Sequence, residues 1–276
     1  MKLLYLSDNL GDHPGGAEQN DSVLIEILRQ MGHDVLVLKS DSEDIVEKSE
    51  GRKLIVSNFI FMFASVKKHI EDKCDYVIYE HDHKYLLARD PSHYPNYVAP
   101  QSEVVNKTFY QNANAVFCQS NLHAEILNKN LSNVNTVVLG GNLWSDDILD
   151  HLESLSLNKK ESKYCIMRSN IEHKNTYGCV KYCESVKQPY VVIGPLPHGQ
   201  FLEEMSKYST FFFIPKTVET LSRIVVEARM LNCKVVTNNK IGAASMDWFK
   251  MSGKELIDAM RKKREEIPNL VLRHLE

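Results

Sequence analysis

Short apolar runs alternate with helix-period stripes along almost the whole of this chain. Residues 2–6 are mostly apolar and stop at Ser7-Asp8, the pattern of a strand buried inside a parallel sheet. After Gly11-Asp12-His13-Pro14-Gly15-Gly16, the positions Val23, Leu24, Ile27, Leu28 and Met31 mark one face of a helix over 17–31, which Gly32 ends. Residues 35–38 are the next strand, so the chain opens with a βαβ unit. The pattern then predicts strands over 54–59, 76–79, 115–119 and 136–139. It predicts helices over 61–70, 104–111, 122–128 and 144–157. Pro91, Pro95 and Pro100 make 89–100 an irregular loop carrying tyrosine and histidine.

Residues 158–162 are polar and patternless, and are the best candidate linker. A second alternation follows, with strands over 164–167, 190–193, 210–214 and 234–237. Helices are predicted over 176–185, 201–208, 222–231 and 254–264. The expected fold is α/β, with two Rossmann-like domains facing across a cleft. They would span 1–157 and 158–276, with about six parallel strands in the first and four or five in the second. The last helices could return to the first domain.

Composition narrows this picture. The chain has 276 residues, 43% hydrophobic and 25% charged, with a net charge of −3. That suits a packed core and lacks the basic excess that nucleic-acid binding calls for. The six cysteines have no metal-ligand spacing, which points to a reducing, cytoplasmic setting. No secretory leader is visible, and no apolar run approaches the ~20 residues of a membrane helix. Arg261-Lys262-Lys263-Arg264 sits near a helix end, where basic residues suit the helix dipole. Peripheral contact with an anionic membrane is the secondary reading of that run.

Candidate chemistry gathers where predicted strands end. In 215–238, a turn with Glu219 leads into a helix that starts near Ser222 and carries Glu227. A strand–turn–helix of this kind directs backbone N–H groups and a positive dipole at one point, which suits a phosphate. Carboxylates beside it suit sugar hydroxyls. The plain alternative is a solvated Glu219 and an i,i+4 pair between Arg223 and Glu227. Arg168 ends the strand over 164–167, and Lys174 follows six residues later, a spacing that would neutralise a diphosphate. The turn at Gly15-Gly16 lacks GxGxxG but permits close approach of backbone to an anion. Glu80-His81-Asp82-His83 invites a metal reading, but alternate strand residues point to opposite sides, and a cleft lining serves any ligand.

Taken together, these strings resemble the retaining GT-B glycosyltransferases of the family 4 type. The resemblance rests on Pro215, Glu219, Glu227-Ala228 and Lys234-Val235-Val236, on Gly15-Gly16-Ala17-Glu18, and on Arg168 with Lys174-Asn175. It implies metal-independent transfer of a sugar from a UDP-, GDP- or ADP-sugar to a sugar, lipid or protein acceptor, with no cofactor. By it, Glu219 and His81 (His83 being the competitor) touch the donor sugar, Glu227 the ribose, and Arg168, Lys174, Gly15, Gly16 and Ser222 the phosphates. One departure stands out: where the family has E-G-F-G, this chain has Glu219-Thr220-Leu221-Ser222. A GT-B-fold epimerase or phosphorylase, or a nucleotide-sugar binder without turnover, are the alternatives.

Overall fold

The computed structural model describes residues 1–8 and 15–276, so the turn at 11–14 lies outside the described residues. The chain divides into two compact units. The first is Met1–Leu143 together with Lys263–Glu276, and the second is Trp144–Lys262.

The first unit is wound as β1 (Lys2–Ser7), α1 (Gly16–Gln30), β2 (Asp34–Lys39), α2 (Ile45–Lys48), β3 (Lys53–Val56), α3 (Ala64–Lys73), β4 (Tyr76–Tyr79), α4 (Lys107–Gln111), β5 (Ala115–Cys118), α5 (Asn121–Asn130) and β6 (Thr136–Val138). Its six strands are all parallel, in the order β2-β1-β3-β4-β5-β6. Leu3, Leu4, Tyr5 and Leu6 of β1 are fully buried because helices cover both sheet faces. Leu24 and Leu28 of α1 pack on one face, and each fully buried leucine contributes about 1.5–3 kcal/mol. Strand order reverses between β1 and β3, and the carboxyl ends at such a switch point are where open α/β sheets bind ligands.

The second unit contains α6 (Asp146–Leu155), β7 (Glu161–Met167), α7 (Thr176–Ser185), β8 (Tyr190–Ile193), α8 (His198–Met205), β9 (Tyr208–Phe212), α9 (Arg223–Met230), β10 (Lys234–Val236) and the start of α10 (Gly253–Arg273). Its parallel sheet runs β10-β9-β7-β8, so its switch point lies between β7 and β9. One face carries a large core that includes Leu202, Phe211, Phe213, Val225 and Trp248. The other carries a small one, with Cys179 and Cys183 of α7 over Ile166 and Phe212. All six cysteines are free thiols.

Several elements depart from the periodicity reading. The helix expected over 61–70 begins only at Ala64. The Asp8 carboxylate accepts the backbone N–H groups of Ile60 and Phe61 at 2.8 and 3.2 Å, which holds 60–63 as a loop and ends β3 early. The helix expected over 201–208 stops at Met205, and β9 starts at Tyr208, because residues 208–212 pair with β7 or β10. The helix expected to end at Arg264 continues through Pro268 to Arg273. There Ile267, Val271 and Leu275 bury against the first unit's sheet, and that packing outweighs the lost backbone donor. Helix α6 belongs to the second unit, ahead of the polar 158–162 stretch. It is capped by Ser145, whose hydroxyl accepts from the Ile148 N–H.

Candidate functional site

In the second unit the candidate groups converge at the carboxyl edge of the sheet. Arg168 follows β7 directly and is exposed. Lys174 closes a short turn after β7, and its Nζ lies 2.7 Å from Oε1 of Glu219. Both side chains are only partly shielded, at 24% and 13% exposure, so the pair remains within reach of a ligand. The loops that carry them are knit together. Asn175 Nδ2 donates to the Ile214 carbonyl at 2.8 Å, and the Lys216 N–H donates to the His173 carbonyl at 2.8 Å. Asn238 Nδ2 reaches the Pro215 carbonyl at 2.9 Å. Glu219 itself is held by its N–H to Lys240 and its carbonyl to the Gly242 N–H, both 2.8 Å. A catalytic constellation needs such support, since it fixes geometry before a substrate arrives.

Ser222 caps the start of α9 with φ 73° and ψ 79°, the left-handed region that costs a residue with a side chain about 1–3 kcal/mol. Its hydroxyl is buried and has no hydrogen-bond partner among the described residues. The chain therefore takes a glycine-like turn at the fourth position of the Glu219-Thr220-Leu221-Ser222 string without the glycine. Among the described residues the hydroxyl at this helix start therefore has its hydrogen-bonding capacity unspent.

Glu227 is buried at 2% exposure, one helix face further in. Its Oε1 accepts from Trp144 Nε1 at 2.8 Å and meets His198 Nε2 at 3.1 Å, and its Oε2 has no bonded partner among the described residues. Burial alone would raise its pKa. The His198 hydrogen bond and charge, the Arg223 charge and the Trp144 hydrogen bond outweigh that and hold it below the usual carboxylate value. The Arg223 guanidinium lies over the Trp144 ring, 4.4 Å from its centre. Neither Trp144 nor His198 stands out in the sequence. Only the fold brings them to Glu227.

In the first unit Gly15 caps α1, with the Glu18 carboxylate folded back so closely that a Cβ on Gly15 would collide with it. Gly16 is the first residue of the helix. His81 follows β4, its Nε2 lying 2.6 Å from Oδ1 of the buried Asp21 and its Nδ1 2.9 Å from Nε2 of Gln119. Asp21 also accepts from Ser57 at 2.6 Å and Ser7 at 3.4 Å, the residues at the carboxyl ends of β3 and β1. His81 is thus fixed by protein partners on both ring nitrogens.

Glu80 and Asp82 do not reach for a metal. They close on the buried Lys84, whose Nζ lies 2.6 Å from Glu80 and 2.8 Å from Asp82. Burial would lower the Lys84 pKa, but Asp82 and Glu80 hold it raised, while burial leaves Glu80 raised too. Among the described residues no group of three or more His, Cys, Asp or Glu side chains could hold a metal ion.

His83, the competitor of His81, is 2% exposed, with Nδ1 2.9 Å from the Tyr85 hydroxyl and Nε2 unpartnered among the described residues. Burial pushes its pKa down to about 4, and burial likewise depresses that of the adjacent buried His123. Because the unfolded chain takes up protons near pH ~6.5 and the folded chain only near 4, stability is full above ~6.5 and falls as pH drops through that window. The first unit is expected to lose about 3 kcal/mol between neutral pH and ~4 from His83 alone. Urea unfolding at a series of pH values should show this slope, and His83→Gln should flatten it. An equal slope in both proteins would reject the assignment.

Two members of the basic run near the chain's end are paired within the chain. Arg261 pairs with Asp150 and lies 3.4 Å from Glu153, and Lys263 lies 2.7 Å from Glu266. Among the described residues no helix is long and apolar enough to cross a membrane.

No protein-family profile matches the chain, and no curated protein matches it in sequence. Solved structures do. Over 99% of its length the chain is similar to 98% of a sucrose-phosphate synthase from Thermosynechococcus elongatus, at a TM-score of 0.64 and 13% identity. Over 97% it is similar to 90% of Anabaena HepE in complex with UDP and glucose, at 0.55 and 14%. Over 99% it is similar to 93% of a UDP-forming α,α-trehalose-phosphate synthase from Burkholderia vietnamiensis, at 0.56 and 9%. These neighbours are glycosyltransferases of the GT-B fold, and at such low identity the likeness establishes the fold of this chain, two Rossmann-like units with parallel sheets.

Proposed function

We propose that this chain is a glycosyltransferase of the retaining, family 4 type that transfers a sugar from a nucleoside-diphosphate donor, a UDP-sugar first among them. The observation that carries the reading is the meeting of Lys174 and Glu219 at 2.7 Å on the edge of the β7/β9 switch point, beside the strained Ser222 at the start of α9. A cation and a helix start at one sheet edge suit the diphosphate of such a donor, and the carboxylates of Glu219 and Glu227 suit its sugar and ribose hydroxyls. Two of the solved structures named above lend support, since one was crystallised with UDP and glucose and the other is described as UDP-forming.

In this reading Arg168 and Lys174 hold the diphosphate, and the Ser222 hydroxyl with the first N–H groups of α9 completes its shell. Glu219 orients the sugar, and Glu227 Oε2 takes the ribose hydroxyls. The bond from the anomeric carbon to the phosphate oxygen breaks while the acceptor oxygen bonds to the same face of that carbon. The acceptor proton passes to the departing phosphate. Charge develops on the leaving diphosphate, so cations and helix dipoles aimed at it supply the main catalytic term without a metal. On the first unit, Gly15 and Gly16 at the start of α1 are further candidates for the donor phosphate, whereas both ring nitrogens of His81 are already engaged by Asp21 and Gln119. The acceptor supplies a hydroxyl oxygen.

Thermal unfolding with nucleoside diphosphates is the direct test. At 100 times its dissociation constant, a ligand that binds only the folded state adds about 2.7 kcal/mol, and the melting temperature should rise by several degrees with UDP or a UDP-sugar. No shift with any of the UDP, GDP or ADP compounds would end the proposal. Slow release of nucleoside diphosphate from the donor without acceptor would separate a transferase from a binder that has lost turnover.

A further inference from the structure

We infer that His198 is a positioning residue for the nucleotide, holding Glu227 so that its second oxygen meets the ribose diol. The inference rests on the donor site proposed above. His198 is the first residue of α8, and Gly194, at φ 99°, turns the chain from β8 toward it. Its imidazole is 28% exposed and meets a carboxylate that is 2% exposed. A buried carboxylate with only weak donors would rotate or take up a proton, and neither form offers two hydroxyls a fixed acceptor. Here the indole N–H of Trp144 and the imidazole of His198 converge on one oxygen, Oε1, and fix the plane of the group. The other oxygen, Oε2, has no partner among the described residues and is the one that meets the ribose diol.

The hold depends on protonation. An imidazolium always donates from Nε2. A neutral ring can shift its proton to Nδ1 and turn a lone pair on Glu227 instead. The charged groups around His198 favour the first state. Glu227 raises its pKa through the hydrogen bond and charge, against burial and the opposing charge of Arg223. The remaining charges on α8 are met elsewhere: Glu203 lies 3.7 Å from His151 of α6, and Glu204 accepts from Tyr208 of β9 at 3.0 Å. Nucleotide affinity should therefore fall as pH rises through the titration of His198.

Calorimetric titration of the whole chain with UDP, from about pH 6 to about pH 8.5, tests this in three proteins. His198→Ala is expected to bind UDP roughly tenfold more weakly than the unaltered chain at the acid end, the scale of one lost hydrogen bond to a charged group. His198→Gln keeps an N–H donor, so it should recover most of that affinity while losing the extra pH dependence. The difference between the unaltered chain and His198→Gln is the quantity to read, because the ligand's own phosphate titrates in the same range near ~6. Equal affinities for all three proteins, or His198→Gln as weak as His198→Ala with unchanged melting temperature, would overturn the role of His198 while leaving the donor site standing. Failure of the unaltered chain to bind UDP would instead overturn the donor site on which it rests.

Discussion

Lys84→Met is expected to destabilise the first unit by about 3–5 kcal/mol, the cost of leaving a buried charge without its partner. Lys84 is 2% exposed and lies among Glu80, Asp82 and, at 3.4 Å, Asn58. Methionine fills the space of the stem, so the loss is electrostatic. Asp82 keeps Arg89 at 3.2 Å, but Glu80 keeps only neutral donors, among them the Tyr110 hydroxyl and the Asp82 N–H. A loss of that size takes away much of the ~5–15 kcal/mol that holds a domain folded. Glu80→Gln on top of Lys84→Met removes the stranded charge and should restore more than half of the stability, although Lys84→Met alone removes the pair's attraction. Equilibrium urea unfolding of both variants measures this. A change below ~1 kcal/mol for the single variant would show that Glu80 is neutral in the folded chain and that Lys84 carries little of the load.

Lys174→Ala is expected to slow donor turnover about 100- to 1,000-fold, the range for removing one preorganised electrostatic contact to developing charge. Its effect on folding should be small. The pair with Glu219 is partly exposed, and such pairs contribute ~0–1 kcal/mol. The variant thus separates chemistry from stability. Release of nucleoside diphosphate from a UDP-sugar gives the rate, and thermal unfolding gives the stability. Glu219→Gln, which keeps the shape but not the charge, should retain UDP binding and lose turnover of the sugar donor. Lys174→Ala within about threefold of the unaltered rate would remove the diphosphate assignment, because no contact made mainly in the transition state is lost so cheaply.

Where the chain could be read without coordinates, the reason is local. The alternating runs of apolar residues placed ten strands in two sheets, and a parallel sheet gathers its strand ends at one edge whatever else surrounds it. Arg168, Lys174, Glu219 and Ser222 were legible as one edge for that reason. Elsewhere local rules are overruled from a distance. Phe61 continues an apolar stripe, yet its N–H is taken by Asp8 from β1's end. Pro268 should stop a helix, yet Ile267 and Val271 carry α10 past it.

By itself, then, the order of residues determined the α/β alternation, the two windings and the kinds of side chain at each strand end. Those follow from backbone geometry over a few residues. Which side chains meet was decided only by tertiary structure. Trp144 reaches Glu227 across 83 positions and His81 reaches Asp21 across 60, with no periodic signal to join them. Lys84 is a neighbour of Glu80 in sequence, but only burial turns that spacing into a charge that the unit cannot lose.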